Sequence, residues 1–191
     1  MQFSFSVLVL VLLLLFSVYY DWTQKKIPNR ITMPTILIGV IWSTLNSGLD
    51  GFLFSVLGFL IGFAVFLIPY FYGGIGAGDV KLMAAIGSLM GWRVVLASGL
   101  ATSIAGGVLV IIYIIAKGNS INIIINTIGI LIKPLLELFY MISGKDWFLE
   151  KQIYFVKSKT EKENEYIPYA IAIAAGTLSV LIFGLDSLIQ F

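Results

Sequence analysis

Residues 73–91 read GGIGAGDVKLMAAIGSLMG. A glycine-rich segment leads to a carboxylate, Asp79, and then to an apolar stretch over 80–91 in which Lys81 is the one charged residue. A helix of these 12 residues would be about 18 Å long, little more than half the hydrocarbon core of a bilayer. Asp79 is therefore predicted to lie below the headgroup level, beside irregular backbone that is tolerated at such depth where it lines a cavity.

Apolar runs of similar character extend in both directions from this stretch. The chain has 191 residues, of which 59% are hydrophobic and 12% charged, whereas soluble domains are roughly 45–50% apolar and about 25% charged. We predict an all-α polytopic membrane protein, a bundle of about six transmembrane helices that forms a single domain over 1–191. The predicted spans are 3–20, 32–47, 52–72, 80–91, 94–116 and 167–190. A short turn is predicted over 48–51 between the second and third spans, and another over 91–93 between the fourth and fifth.

The segment 121–142 is apolar but carries four polar residues at helical spacing, which predicts an amphipathic helix lying in the cytoplasmic interface, followed by a cytoplasmic loop over 143–166. With the N-terminus outside, eleven of the twelve basic residues are cytoplasmic and Arg93 alone is external. This distribution follows the positive-inside rule and supports the predicted orientation.

Several classes of function are excluded by composition. The chain contains no cysteine and no histidine, which removes thiol nucleophiles, serine–histidine pairs and histidine-ligated zinc. A net charge of +2 is too small to indicate nucleic-acid binding. We expect no metal and no cofactor, and acid–base chemistry carried by carboxylates.

Asp21 follows the first predicted span and Asp79 precedes the fourth, and both lie at the cytoplasmic end of their span. A charge at such a position is costly unless it has a partner or a function. If the two meet, they would share a proton and act as a general acid and a general base. Because Asp79 begins a helix and Asp21 ends one, the helix dipoles suggest Asp79 as the initial base and Asp21 as the initial acid.

Three motifs resemble those of the type IV prepilin peptidase family. Residues 76–79 form Gly-Ala-Gly-Asp within the longer match 78–87, Asp21 is followed by Ile-Pro-Asn at 27–29, and Ile-Pro-Tyr-Ala at 167–170 opens the last predicted span. The matches occur in family order and cover nearly the whole chain. The Gly-x-Gly-Asp motif alone is also found in presenilin-like proteases, whereas the three together are specific.

The resemblance implies a six-helix membrane aspartyl peptidase of a prokaryotic plasma membrane, with Asp21 and Asp79 as the catalytic pair at the cytoplasmic face. It implies cleavage of the leader of a pilin-like precursor, without metal or nucleotide. Longer relatives carry a cysteine-bearing region associated with N-methylation, for which this chain has no cysteine and no room, so methylation is not expected. The residues predicted to bind substrate or shape the site are Gly76, Gly78, Lys81, Pro28 and Asn29.

Other readings of the same residues remain. A presenilin-like protease with other substrates and a small proton-coupled transporter are alternatives, although the apolar middles of the spans favour a protease over a transporter. A non-catalytic membrane scaffold is a third.

The same residues also have possible structural roles. Asp79 could cap its helix after the glycine segment, and Pro28 and Asn29 could end one helix and begin the next. Gly58 and Gly62 form Gly-x-x-x-Gly, which predicts close helix packing inside the bundle.

Overall fold

The computed structural model describes residues 2–71, 74–117 and 168–188. Regular structure in these ranges is helical, and the helices are α1 (Gln2–Gln24), α2 (Asn29–Phe71), α3 (Ala77–Lys117) and α4 (Ala170–Leu188). They belong to one compact unit. The predicted interfacial helix over 121–142 and the loop over 143–166 lie outside the described residues.

The two long helices are each broken by a glycine with positive φ. Gly48 has φ 58° in α2 and Gly91 has φ 79° in α3, a backbone region that glycine adopts without the steric cost of a Cβ. After Gly48 the chain bends so that Gly51 packs against the carbonyl group of Ser43. The turn predicted over 48–51 is thus made at Gly48 alone, and Gly51 is already helical.

These breaks divide α2 into segments 29–47 and 49–71, and α3 into segments 77–90 and 92–117. Each predicted span corresponds to one helical segment, with α1 and α4 matching the first and last. The observed segments begin up to three residues before or after the predicted spans, because helix ends depend on local hydrogen bonds as well as on apolar runs.

The length and composition of the helices fit a membrane protein. α1, α2 and α3 each contain a stretch long and apolar enough to cross a bilayer, and Ala170–Gly184 in α4 is a shorter apolar stretch. Large apolar side chains project outward along the bundle, among them Leu45, Leu100 and Phe183. A lipid environment accepts such an apolar surface, whereas water does not.

The first segment of α3 lies at the centre of the bundle. Every residue from 82 to 90 is buried, and the side chains of Leu82, Met83 and Ile86 are fully enclosed. α3 as a whole packs mainly against α2, with α4 as its next most extensive neighbour. Residues 82–90, which follow Asp79 in the first segment, are therefore surrounded by protein.

Small residues allow the close contact between α2 and α3. A Cβ at Gly58 would collide with the carbonyl group of Gly87, and one at Gly62 would meet the carbonyl group of Met83. The Ser55 hydroxyl in α2 donates a hydrogen bond of 2.7 Å to the Ser88 carbonyl in α3. Glycine and serine contacts of this kind are a common way of packing membrane helices, and the packing predicted for Gly58 and Gly62 is confirmed.

We expect Gly58→Ala to destabilise the protein by about 1–3 kcal/mol, because the added methyl group overpacks the α2–α3 contact. Gly107→Ala is the matched control, since a Cβ at Gly107 would meet nothing within 4 Å. Both substitutions share the gain in helix propensity of about 1 kcal/mol. Thermal unfolding in detergent measures the difference, and equal melting temperatures for the two variants would contradict the packing described here.

Candidate active site

Asp21 is part of α1, not a residue that follows it. The predicted span ended at residue 20, but α1 continues to Gln24. The helix ends where Lys25 adopts a left-handed conformation with φ 54° and its N–H donates to the Asp21 carbonyl at 3.0 Å, a known C-terminal capping arrangement. The Asp21 side chain thus projects from the last turn of α1, and the residue is only 2% exposed.

Asp79 is the third residue of α3, whereas the predicted span began after it. The helix starts at Ala77, so Gly78 is helical and not part of an irregular segment; Gly73 lies outside the described residues. Gly76 is the capping residue, because its carbonyl accepts the N–H groups of Asp79 at 3.1 Å and Val80 at 3.4 Å. The sequence had suggested Asp79 itself as the cap.

The Asp79 carboxylate closes this first turn of α3. Its Oδ2 accepts the N–H of Gly76 at 3.0 Å, as the acidic residue of a capping box does when it reaches back to the cap. This bond explains why the helix begins earlier than the apolar pattern predicted. It also fixes the carboxylate in place, and Asp79 is 7% exposed.

The turn between α1 and α2 packs directly on the start of α3. A Cβ at Gly78 would be 3.1 Å from the Cβ of Ile27, so the absence of a side chain there permits the contact. The Lys81 ammonium donates a hydrogen bond of 2.8 Å to Oδ1 of Asn29, the first residue of α2. The Pro28 carbonyl accepts the N–H of Ile31 at 3.1 Å, which places Pro28 at the boundary before α2.

The predicted site residues are therefore neighbours in space. The segment that follows Asp21 and the segment that contains Asp79 are joined through Ile27 with Gly78 and through Asn29 with Lys81. The Asp21 and Asp79 carboxylates lie within range of each other's charge. Two buried carboxylates in such proximity can exchange protons with a reacting group.

The start of α4 completes the site, although none of its residues was predicted to take part. The N–H of Ala170 donates a hydrogen bond of 3.0 Å to Oδ2 of Asp21. Tyr169, the preceding residue, interacts electrostatically with Asp79. Both residues belong to the Ile-Pro-Tyr-Ala motif at 167–170. The motif is the sequence signal that marks them, but it does not predict which residues they contact.

The contact with α4 also removes the basis for assigning separate roles to the two aspartates. The dipole argument placed Asp21 only at the negative end of α1. The structure places its carboxylate on the N-terminal N–H of α4 as well, at the positive end of another helix. Both carboxylates now face a helix N-terminus, so helix ends no longer distinguish the initial base from the initial acid.

Among the described residues, no group of three or more histidine, cysteine, aspartate or glutamate side chains could hold a metal ion. The side chains that the described part of the chain offers for chemistry at this site are thus the two carboxylates, with the Lys81 ammonium and the Tyr169 phenol nearby.

The chain is similar in sequence to known proteins. The chain is similar to the prepilin leader peptidase/N-methyltransferase of Myxococcus xanthus, with 31% identity over 120 residues that cover 59% of this chain and 36% of that protein. The protein of the same name from Bacillus subtilis is 33% identical over 97 residues, covering 49% of this chain and 38% of the relative. The chain spans well under half the length of these relatives, and no solved structure matches it.

A family model also matches the chain. The model of the Type IV leader peptidase family matches residues 8–111, more than half of the chain. The matched range includes both Asp21 and Asp79, together with the turn at 27–29 and the first turn of α3. The chain belongs to the Type IV leader peptidase family.

Proposed function

We propose that this protein is a membrane aspartyl endopeptidase that removes the leader of a pilin-like precursor, with Asp21 and Asp79 as its catalytic pair. The observation that carries the proposal is the burial of two carboxylates at the ends of different helices whose adjoining segments contact each other, in a chain of this family. The names of the relatives support leader peptides as the substrate class.

In the proposed reaction, one carboxylate removes a proton from a water molecule as the water oxygen attacks the scissile carbonyl carbon. The other carboxylic acid donates its proton to the carbonyl oxygen, which gives a tetrahedral intermediate. The carboxyl group that took the water proton then donates it to the peptide nitrogen, while the other carboxylate removes a proton from a hydroxyl group of the intermediate. The C–N bond breaks, which releases an amine and a carboxyl group and restores the starting protonation states. The network around the pair fixes both side chains before substrate arrives, since Asp79 is bound to Gly76 and Asp21 to Ala170.

The proposed membrane arrangement has about six crossings, with the N-terminus outside and the aspartates at the cytoplasmic face of the plasma membrane. The glycine breaks support it, because α2 and α3 have 43 and 41 residues, each about twice the length needed for one crossing. A substrate with a short polar leader followed by an apolar helix would lie beside the bundle and present its cytoplasmic edge to the site.

We propose that the residues of this chain carry leader cleavage and not methylation. The names of the relatives combine a peptidase with an N-methyltransferase, but this chain has no cysteine, and the methylating region of longer family members is cysteine-bearing. The mass of the mature product distinguishes a free N-terminus from a methylated one.

We expect Asp21→Asn and Asp79→Asn each to reduce cleavage of a co-expressed pilin-like precursor by about 100-fold or more, because asparagine keeps the size of the side chain but cannot transfer the proton. Asp50→Asn is the matched control, since Asp50 is an exposed carboxylate on α2. Leader removal is read by gel shift and mass spectrometry, with membrane insertion checked for every variant. Cleavage that persists in both site variants would contradict the proposal. If the wild-type protein cleaves no precursor, presenilin-like substrates and transport become the functions to test.

Lys81 and Asn29 are proposed to shape the site by holding the α1–α2 turn on α3, along with Gly76, Gly78 and Pro28. We expect Lys81→Met and Asn29→Ala each to slow cleavage several-fold, and the double variant to be no slower than the worse single variant, because both remove the same hydrogen bond. Rates measured on the same precursor give the coupling. Fully additive losses would show that the two side chains act separately, for example by binding substrate.

A further inference from the structure

Among the described residues, the segment that begins α4 offers no side chain that caps the N-terminus of this helix. The N–H of Ile173 donates to the Tyr169 carbonyl at 3.2 Å, which makes Tyr169 the capping residue of α4. Tyrosine has no short side-chain oxygen with which to accept the first free N–H groups of a helix, as serine or aspartate does. The N–H of Ala170 is instead satisfied by the carboxylate of Asp21, 149 residues earlier in the chain.

The Tyr169 side chain leads to a different helix. A Cβ placed at Gly106, in the second segment of α3, would lie 2.7 Å from the phenol oxygen, 2.8 Å from Cε2 and 3.0 Å from Cζ of Tyr169. The ring therefore rests directly on the backbone at Gly106. Its phenol is also near enough to Asp79 for the two to interact electrostatically.

Tyr169 and Ala170, the adjacent residues at the start of α4, thus lie near both aspartates. The backbone of Ala170 binds Asp21, while the ring of Tyr169 lies near Asp79 and is seated on Gly106. Two turns further along α4, Gly176 packs against the backbone of Thr102, one turn before Gly106 on α3. The position of the α4 N-terminus is therefore determined by how closely it can approach the second segment of α3.

We propose that the Gly106–Tyr169 contact is a spacer that sets the position of the α4 N-terminus and, through the Ala170 N–H, the position of Asp21 relative to Asp79. Tyr169 is a positioning residue in this proposal and Gly106 is the surface against which it is seated. The inference rests on the proposed peptidase function, because the quantity that the spacer controls is the geometry of the catalytic pair.

The proposal predicts that catalysis is sensitive to a single methyl group at Gly106. This residue lies in the second segment of α3, which contains neither aspartate. Gly106→Ala would push the Tyr169 ring and the α4 N-terminus away from α3, and with them the N–H that holds Asp21. A displacement of about 1 Å in a catalytic group can cost on the order of 100-fold in rate. The binding of the precursor helix along the outside of the bundle would not change.

The test compares cleavage kinetics of the full chain in detergent for wild type, Gly106→Ala, Gly107→Ala, Tyr169→Ala and the double variant Gly106→Ala/Tyr169→Ala. We expect Gly106→Ala to lower kcat by about tenfold or more with an unchanged KM. Gly107→Ala should match the wild type, because its Cβ points into open space. Tyr169→Ala should also lower kcat, and adding Gly106→Ala to it should cost nothing further, since the atoms that the new methyl group meets are gone.

Tyr169→Phe separates spacing from other roles of the tyrosine, because it keeps the ring and removes only the hydroxyl. We expect its kcat to lie well above that of Tyr169→Ala, because the ring atoms Cε2 and Cζ still rest on Gly106. A kcat as low as that of Tyr169→Ala would overturn the spacer. Wild-type kcat in Gly106→Ala, or a further loss when Gly106→Ala is added to Tyr169→Ala, would overturn the spacer while leaving the peptidase intact. A wild-type chain that cleaves no precursor would overturn the proposed function and this inference together.

Discussion

The free amide groups at the start of a helix buried in a membrane protein must find acceptors, and in this molecule one of them finds Asp21. The hydrogen bond from the Ala170 N–H to the Asp21 carboxylate joins the first described helix to the last. A residue proposed to perform chemistry therefore also satisfies a structural requirement, because an unpaired N–H in an apolar environment would cost several kcal/mol. The other contacts of the site, such as that between Tyr169 and Gly106, involve residues next to this bond or on the helices that it joins.

The second requirement is close packing without large side chains. Gly58 and Gly62 bring α2 onto the backbone of α3, Gly78 admits Ile27, and Gly106 admits the ring of Tyr169. In lipid, apolar side chains gain little by leaving their surroundings, so tight backbone contact and interhelical hydrogen bonds supply much of the association energy. The glycines of this chain thus determine which helices meet, and the aspartates are brought together as a result.

Much of the helical layout could be predicted from the sequence. Apolar runs predicted the helical segments, and Gly48 and Gly91 lie where turns were expected, because glycine is the residue that tolerates positive φ. Both aspartates were found because charges are rare beside apolar spans. The start of α3 was placed too late, since the bond from the Gly76 N–H to Asp79 is a local event that hydrophobicity does not encode. Tyr169 and the Ala170 amide were missed as site groups because one sequence carries no information on a contact across 149 residues, and the expectations for 121–166 concern residues outside those described.

The separation between Asp21 and its partner on α4 has a consequence for how the protein is made. Synthesis proceeds from the N-terminus, so both aspartates leave the ribosome well before residues 168–188 do. Until that last segment has been translated and inserted, Asp21 lacks the amide that holds it, and Tyr169 has not yet been seated on α3. The hydrogen bond between Asp21 and Ala170 therefore forms only after α4 has been made, late in the synthesis of the chain.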